Sequence, residues 1–279
     1  MKIGSPYIDT FGRDMAGTDL PEPRSHRMSE SMTAIPAFLD AYYASGSDGS
    51  VRVSAEQASA FAKDVAGDYN PLHDVGARRF CVPGDLLCAL VFARYGLSER
   101  MTFAFRDMVR AEEPLYFPEA ETETGSIAVV DADGGVYLEA ERAGAVCRDP
   151  GVIERFIREY AAFSGKTFPH HMIPLLEEHG VMFHPDRPLV IYDSMGFELE
   201  TLAFGELSLA LADRTLTTDD RRGSVKLCFD MQADGYPFGA GWKRLVISGL
   251  RAYDGERMRS FVEHFRMLKA AYEAERDGT

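Results

Sequence analysis

Three things are scarce in this chain of 279 residues. Long apolar runs are missing, and none reaches the ~18 residues that a membrane-spanning helix needs. Basic residues are outnumbered, with 30 Lys and Arg against 44 Asp and Glu and a formal net charge of −14. Such a chain does not present the basic stripe that nucleic acid requires, and an anionic membrane surface repels it. Cysteine is sparse. Cys81, Cys88, Cys147 and Cys228 fit neither a CxxC nor a zinc pattern, and they read as reduced, buried thiols of a cytoplasmic protein.

What is present reads as an ordinary globular chain, 46% hydrophobic, long enough for one large domain or two modules of about 130–140 residues. Met1 to Arg27 is polar, carries Pro21 and Pro23 and has no apolar stretch of the secretory kind. Residues 1–35 are therefore expected to be a flexible N-terminal extension, with Met28 and Met32 as alternative starts.

Ser54-Ala55-Glu56-Gln57 has the form of a capping box, opening an amphipathic helix to about Ala66 that Gly67 ends. Gly84 to Gly96 is apolar nearly all round, which predicts a buried helix. Pro83 stands at its start and Asp85 in its first turn. Strand-like runs follow at Met101–Val109, Pro114–Phe117, Glu123–Asp131 and Val136–Ala145, with Asp133-Gly134-Gly135 as a hairpin signal. A helix then runs from Val152 to Ser164 and ends at Gly165, and a short one lies around Met172–His179. Further strands are expected at Leu189–Leu202, Glu206–Ala212, Ser224–Met231 and Arg244–Ser248, with a loop over Gly235–Lys243. An amphipathic helix near Glu256–Glu275 closes the chain.

This order repeats. Gly67-Asp68-Tyr69-Asn70-Pro71-Leu72-His73 lies over Gly165-Lys166-Thr167-Phe168-Pro169-His170-His171 with glycine, proline and the last histidine in register. In the second copy Lys166 stands for the acid and Phe168 for the asparagine. The reading is α+β: two modules, 36–149 and 150–279, each a helix wrapped by an antiparallel sheet, joined near Arg148-Asp149-Pro150-Gly151.

The chemistry concentrates in the first copy. Asp68 and His73 flank an Asn-Pro turn, which points both into a loop rather than along one helix face. A carboxylate and an imidazole so placed can hold one water and move its protons at neutral pH. Asn70 shapes the loop. His170, His171, His179 and His184 lack metal-ligand spacing, so no metal site is expected, and His171 reads as a relic of the duplicated site.

The string Gly67-Asp68-x-Asn70-Pro71-Leu72-His73, followed by Arg79-Phe80-x-x-Pro83 and a buried helix, resembles the MaoC-like (R)-specific enoyl-thioester hydratases and dehydratases. Those proteins have the hotdog fold. More narrowly, Arg79 to Leu87 resembles a bacterial hotdog-like family of unknown function. The resemblance implies a double hotdog that reversibly hydrates a trans-2-enoyl thioester to the (R)-3-hydroxyacyl form, hence a lyase. It implies Asp68 and His73 as the catalytic pair, and Gly84 with Asn70 at the thioester. Arg78 and Arg79 are candidate contacts to a phosphate of coenzyme A or to an acyl carrier protein. It implies no metal or redox cofactor, coenzyme A or phosphopantetheine as part of the substrate, and a monomer or homodimer. Where the hydratases open the central helix with His-Gly, this chain has Pro83-Gly84-Asp85. Proline has no N–H, and Asp85 brings negative charge towards a developing oxyanion. Two other readings therefore stand beside the first. One is a non-catalytic acyl-thioester binder. The other is a hotdog thioesterase with Asp85 as its acid, and the Gly235–Trp242 loop is a candidate pocket lining.

Overall fold

Helices begin in this chain where the sequence supplies caps. In the computed structural model, which describes residues 35–120 and 122–277, Ser54 accepts the Gln57 N–H while the Gln57 side chain accepts the Ser54 N–H. This closes the expected capping box at the start of α1 (Ala55–Ala60), which runs on as a π-helical turn over Phe61–Ala66. Gly67 stops it in the left-handed region, at φ 64°, as glycine can at no steric cost. The expected flexible extension lies outside the described residues apart from Ile35. Two short strands, β1 (Ala44–Ser45) and β2 (Val51–Arg52), precede α1 and pair with each other.

The buried helix α2 (Gly84–Tyr95) stands where its composition places it, with Gly96 as its C-cap. Every residue from Asp85 to Ala93 is buried. After it come β3 (Leu97–Phe105), β4 (Gly125–Val130) and β5 (Val136–Cys147). The strand expected at Met101–Val109 thus starts and ends four residues earlier, because Gly96 ends the helix straight into extended chain. The run Pro114–Phe117 forms only isolated bridges, Leu115 to Val51 and Tyr116 to Val130.

Asp149 caps α3 (Pro150–Lys166) by accepting the Val152 N–H, with Pro150 at the first helical position. The stretch expected to link two modules is therefore a tight strand-to-helix junction. Gly165 does not end α3, contrary to its reading as a stop. The helix continues through a π-helical segment, Thr167–Met172, into α4 (Ile173–Glu178). A Cβ on Gly165 would stand 2.1 Å from the Ala66 carbonyl oxygen, so this glycine lets two helix ends touch rather than terminating one.

The rest of the chain is β6 (Val181–Met182), β7 (Val190–Leu199), β8 (Leu207–Asp219), β9 (Arg222–Ala233), β10 (Tyr236–Ser248), β11 (Arg251–Ala252) and α5 (Gly255–Asp277). Seven strands make one antiparallel sheet in the order β4-β5-β3-β7-β10-β9-β8, and β6 pairs with β11. From either edge inward the path is the same. The strand after the helices is central, the next lies towards the edge, and the chain then steps back inward. β3 and β7 pair at the centre, Arg100 opposite Glu198 through Ala104 opposite Ser194. The two halves of the sequence therefore share a single sheet.

The span expected as a loop, Gly235–Lys243, is, from Tyr236 on, the first part of β10. Gly239 and Gly241 are close-approach residues, since a Cβ on the first would press on the Glu198 carbonyl and one on the second would meet the Phe229 ring at 2.5 Å, whereas Gly235 turns the chain at φ 84°. Glycine inside a strand marks such contacts as readily as it marks a turn. The inward face alternates as a half-buried sheet must, with Val225, Leu227, Phe229 and Met231 of β9 all fully covered. α2 and α3 lie together on that face, where Phe92 meets Phe103, Phe156, Tyr160 and Phe197. No described helix is long and apolar enough to cross a membrane.

Gly165→Ala should lower unfolding free energy by about 1–3 kcal/mol, the usual range for overpacking. Urea titration reads this as a drop in the denaturation midpoint. An unchanged midpoint would show that α3 and the Ala66–Gly67 turn are not held in contact.

Candidate active site

Gly67 turns the chain out of the first helix, and the next residues fold on themselves through short side-chain bonds. Asp68 Oδ1 accepts the Asn70 N–H at 2.9 Å, and Asn70 Oδ1 accepts the Leu72 N–H at 3.2 Å. A single 3-10 turn, Pro71–His73, follows. The Asn70 amide also donates to the Val190 carbonyl of β7, at 3.3 Å, which ties the loop to the other half of the sheet. Asn70 thus shapes and anchors the loop, and both ends of its amide are committed. α5 covers the outside, with Phe265 and Tyr272 edge-on to Tyr69.

His73 is fixed by one bond. Its Nδ1–H donates to the Cys81 carbonyl at 2.8 Å, and the Cys81 thiol lies farther off, at 4.0 Å. This turns Nε2 towards Asp68, whose Oδ2 stands 3.8 Å away. The separation exceeds a direct hydrogen bond. Burial pushes the Asp68 carboxyl up, while the His73 charge and the Asn70 N–H pull it down less strongly. Burial acts against charge on His73, but the contacts to Cys81 and the Asp68 carboxylate outweigh it and push the imidazole up to about 9. Interacting groups of this kind titrate as a pair, and this pair keeps a proton throughout the neutral range.

Both side chains line a cavity of about 250 Å³. Its walls are otherwise largely apolar, with Val82, Leu87, Phe105, Val190 and Leu245 among them, and they come from both halves of the sequence. Gly84, the first residue of α2, also lines it, and a Cβ there would meet the Phe105 ring at 2.9 Å. The N–H groups of a helix's first turn have no intrahelical acceptor, and they carry the positive end of its dipole.

Asp85 does not act as the bare negative charge expected at this helix start. Lys243 of β10, completely buried, donates to Asp85 Oδ1 at 2.8 Å. The same ammonium donates to the Tyr160 carbonyl at 2.8 Å and to Ser164 Oγ at 2.7 Å, so its three N–H donors are all engaged. Tyr192 bonds Ser164 Oγ at 2.7 Å, and Ser164 and Tyr192 both line the cavity. Sequence reading missed this network. Its signal was there: along β10, positions 243, 245 and 247 share one face, and the first is a lysine among Leu245 and Ile247.

The other expected residues are not brought to the cavity. Arg78 and Arg79 are exposed and not part of its wall. Of the Gly235–Trp242 stretch no residue lines it; Leu245 is the contribution of β10. His171 packs against Phe163 instead of entering the site, and His179 is bonded to the Leu175 carbonyl. Among the described residues no group of three or more His, Cys, Asp or Glu side chains is arranged to hold a metal ion.

Residues 37–256 match a family described as "Protein of unknown function (DUF3581)". No curated protein matches the chain. Among solved structures it is similar to a candidate oleoyl thioesterase from Lactobacillus plantarum, with 9% identity and a TM-score of 0.33 over 71% of this chain and 89% of that one. It is similar also to an acyl-CoA thioesterase II, TesB2, from Mycobacterium marinum, with 12% identity and a TM-score of 0.33 over 77% of this chain and 96% of that one. Likeness of that degree assigns neither reaction nor substrate, and none of these matches shows the hydratase family that the motif resembles.

Because its proton affinity is raised above the ordinary 6.5, His73 contributes stability that is full below that pH and is lost as pH rises through about 9. NMR titration of the imidazole should find the midpoint near 9 in the wild type and lower in Asp68→Asn. An Asp68→Asn midpoint equal to the wild type's would mean that the two side chains do not interact.

Proposed function

The chain belongs to the DUF3581 family, whose function is unknown, and we propose from its site that it adds water across the double bond of a trans-2-enoyl thioester and catalyses the reverse dehydration. One observation carries this reading. Asp68 Oδ2 and His73 Nε2 stand 3.8 Å apart on the wall of one cavity, which also holds the start of a buried helix. The motif's resemblance to the MaoC-like hydratases and a double-hotdog reading of the mirrored strand order support it. In that reading 36–149 carries the pair and 150–279 completes the acyl cavity.

The steps balance within the pair. Water sits between the carboxylate and the imidazolium. The Asp68 carboxylate takes its proton as the oxygen bonds to C3, and the His73 Nε2–H delivers a proton to C2. The product is the 3-hydroxyacyl thioester. A proton then passes from Asp68 back to His73, which restores the starting state. The negative charge that develops on the thioester oxygen needs donors, and the Gly84 end of α2 supplies positive potential there. No metal or redox cofactor enters this scheme, and coenzyme A or phosphopantetheine is the handle of the substrate. A cavity of about 250 Å³ suits a short acyl group. A cytoplasmic setting fits the four free cysteines.

The thioesterase reading loses its Asp85 form, because that carboxylate is held by Lys243 and is not part of the cavity wall. Hydrolysis by Asp68 and His73 remains an alternative that product analysis separates. With crotonyl-coenzyme A, the enoyl absorbance should fall without release of free thiol. Asp68→Asn should slow the reaction about 10²–10⁴-fold, the usual worth of positioned acid–base catalysis. Thiol release with the enoyl chromophore intact would make the protein a thioesterase. Binding without either change would make it an acyl-thioester binder.

A further inference from the structure

Besides the exposed Arg106 and Asp107, the cavity has two polar regions. The first-half residues Asp68 and His73 form one, and the proposed reaction uses it. Ser164 of α3 and Tyr192 of β7, from the second half, form the other, and neither the motif nor any relative assigns it a role. Ser164 is nearly fully buried, and its oxygen has two neighbours, Lys243 Nζ at 2.7 Å and the Tyr192 hydroxyl at 2.7 Å. An ammonium can only donate, so Ser164 Oγ accepts from it. The two hydroxyls have two protons between them, and their mutual bond uses one. Thr167, on the same wall, directs its own proton to the Phe163 carbonyl at 3.0 Å. The remaining O–H has two acceptors within reach of the pair, Thr167 Oγ1, which the Tyr192 hydroxyl also meets, and an acyl oxygen entering the cavity.

We propose that the Ser164–Tyr192 hydroxyl pair, polarised by the buried Lys243 ammonium, binds the carbonyl oxygen of the thioester. Apart from these groups, Asn70, Thr167 and the exposed Arg106 and Asp107, the wall is apolar, so the buried part of a ligand seated here is an apolar body with one acceptor, and an acyl carbonyl has that form. A hydroxyl that accepts from a cation donates more strongly, and the charge strengthens the bond as the carbonyl becomes enolate-like. The arrangement also answers Pro83, whose missing N–H removes a donor from the start of α2. Asp85 then has a role of its own. It holds the ammonium in place and cancels its charge at rest, so that the site does not retain a free anion. This inference deepens the proposed reaction by naming what holds the substrate, and it applies to any acyl thioester, reactive or saturated.

Butyryl-coenzyme A labelled with ¹³C at the carbonyl tests it, because a saturated thioester cannot be hydrated. Isotope-edited infrared spectra should show the carbonyl stretch of the bound ligand moved to lower frequency than in solution. Tyr192→Phe combined with Ser164→Ala should lose most of that displacement, while Asp68→Asn should keep it. Circular dichroism and melting curves confirm that each variant is folded, and if the double variant is not, Tyr192→Phe alone, which keeps the ring, should show a smaller displacement than the wild type. With crotonyl-coenzyme A, Tyr192→Phe should lower kcat about 10²-fold, as removal of one such donor does. An unmoved carbonyl stretch, an equal displacement in wild type and hydroxyl-free variant, or no binding of butyryl-coenzyme A to the wild type would each overturn the proposal. If the displacement is present and hydroxyl-dependent but crotonyl-coenzyme A is not hydrated, the carbonyl site stands and the reaction is wrong.

Discussion

A completely buried ammonium sets the terms for this structure. Taking Lys243 and Asp85 out of water costs several kcal/mol per ion, and only close pairing with further hydrogen bonds offsets it. Asp85 is in the first turn of α2, Lys243 is on β10, and the remaining acceptors, the Tyr160 carbonyl and Ser164 Oγ, are on α3. One charge thereby fixes the start of the buried helix against an element from each layer of the second half. The aromatic faces of Tyr160 and Tyr192 complete its surroundings. Removing either ion leaves the other uncompensated, so the two positions are expected to change together or not at all.

The cavity follows from that constraint. With the start of α2 held against α3 and β10, Gly84 comes to the cavity wall and Phe105 closes over it. The Asp68–His73 loop is then fastened from two sides, by Asn70 to β7 and by α5 over Tyr69. Gly165, inside α3, touches Ala66 and the left-handed Gly67, so the two helical segments meet at these glycines. The loop in the first half has its acid and histidine at the cavity. The second half gives Ser164, Thr167 and Phe168 to the same cavity.

Much of the first half was legible in the sequence because its signals are local. The Ser54–Gln57 box, the Gly67 stop, the all-apolar α2 and the Asn-Pro turn between Asp68 and His73 each depend on neighbours within a few residues. The second half depends on contacts distant in sequence. Gly165 resembles a stop but is a point of contact. Gly239 and Gly241 resemble loop residues but are pressed against β7 and Phe229, so β10 was read as starting at Arg244, and Lys243 lost its place on an inward face. Ser164 is one polar residue at the end of an amphipathic helix, with nothing beside it to mark it. The pairing of Lys243 with Asp85 joins residues 158 positions apart, and no local pattern encodes it.

The arrangement of the site requires that the buried pair act as a unit. A double-mutant cycle with Lys243→Met and Asp85→Leu, read by chemical denaturation, measures this directly. Each single variant should lose about 3–5 kcal/mol, the cost of leaving one buried charge unpaired. The double variant should recover much of that loss, which appears as a favourable coupling of a few kcal/mol. Losses that simply add, or single variants as stable as the wild type, would mean that the ammonium and carboxylate do not hold this helix start, and the account would be wrong at its centre.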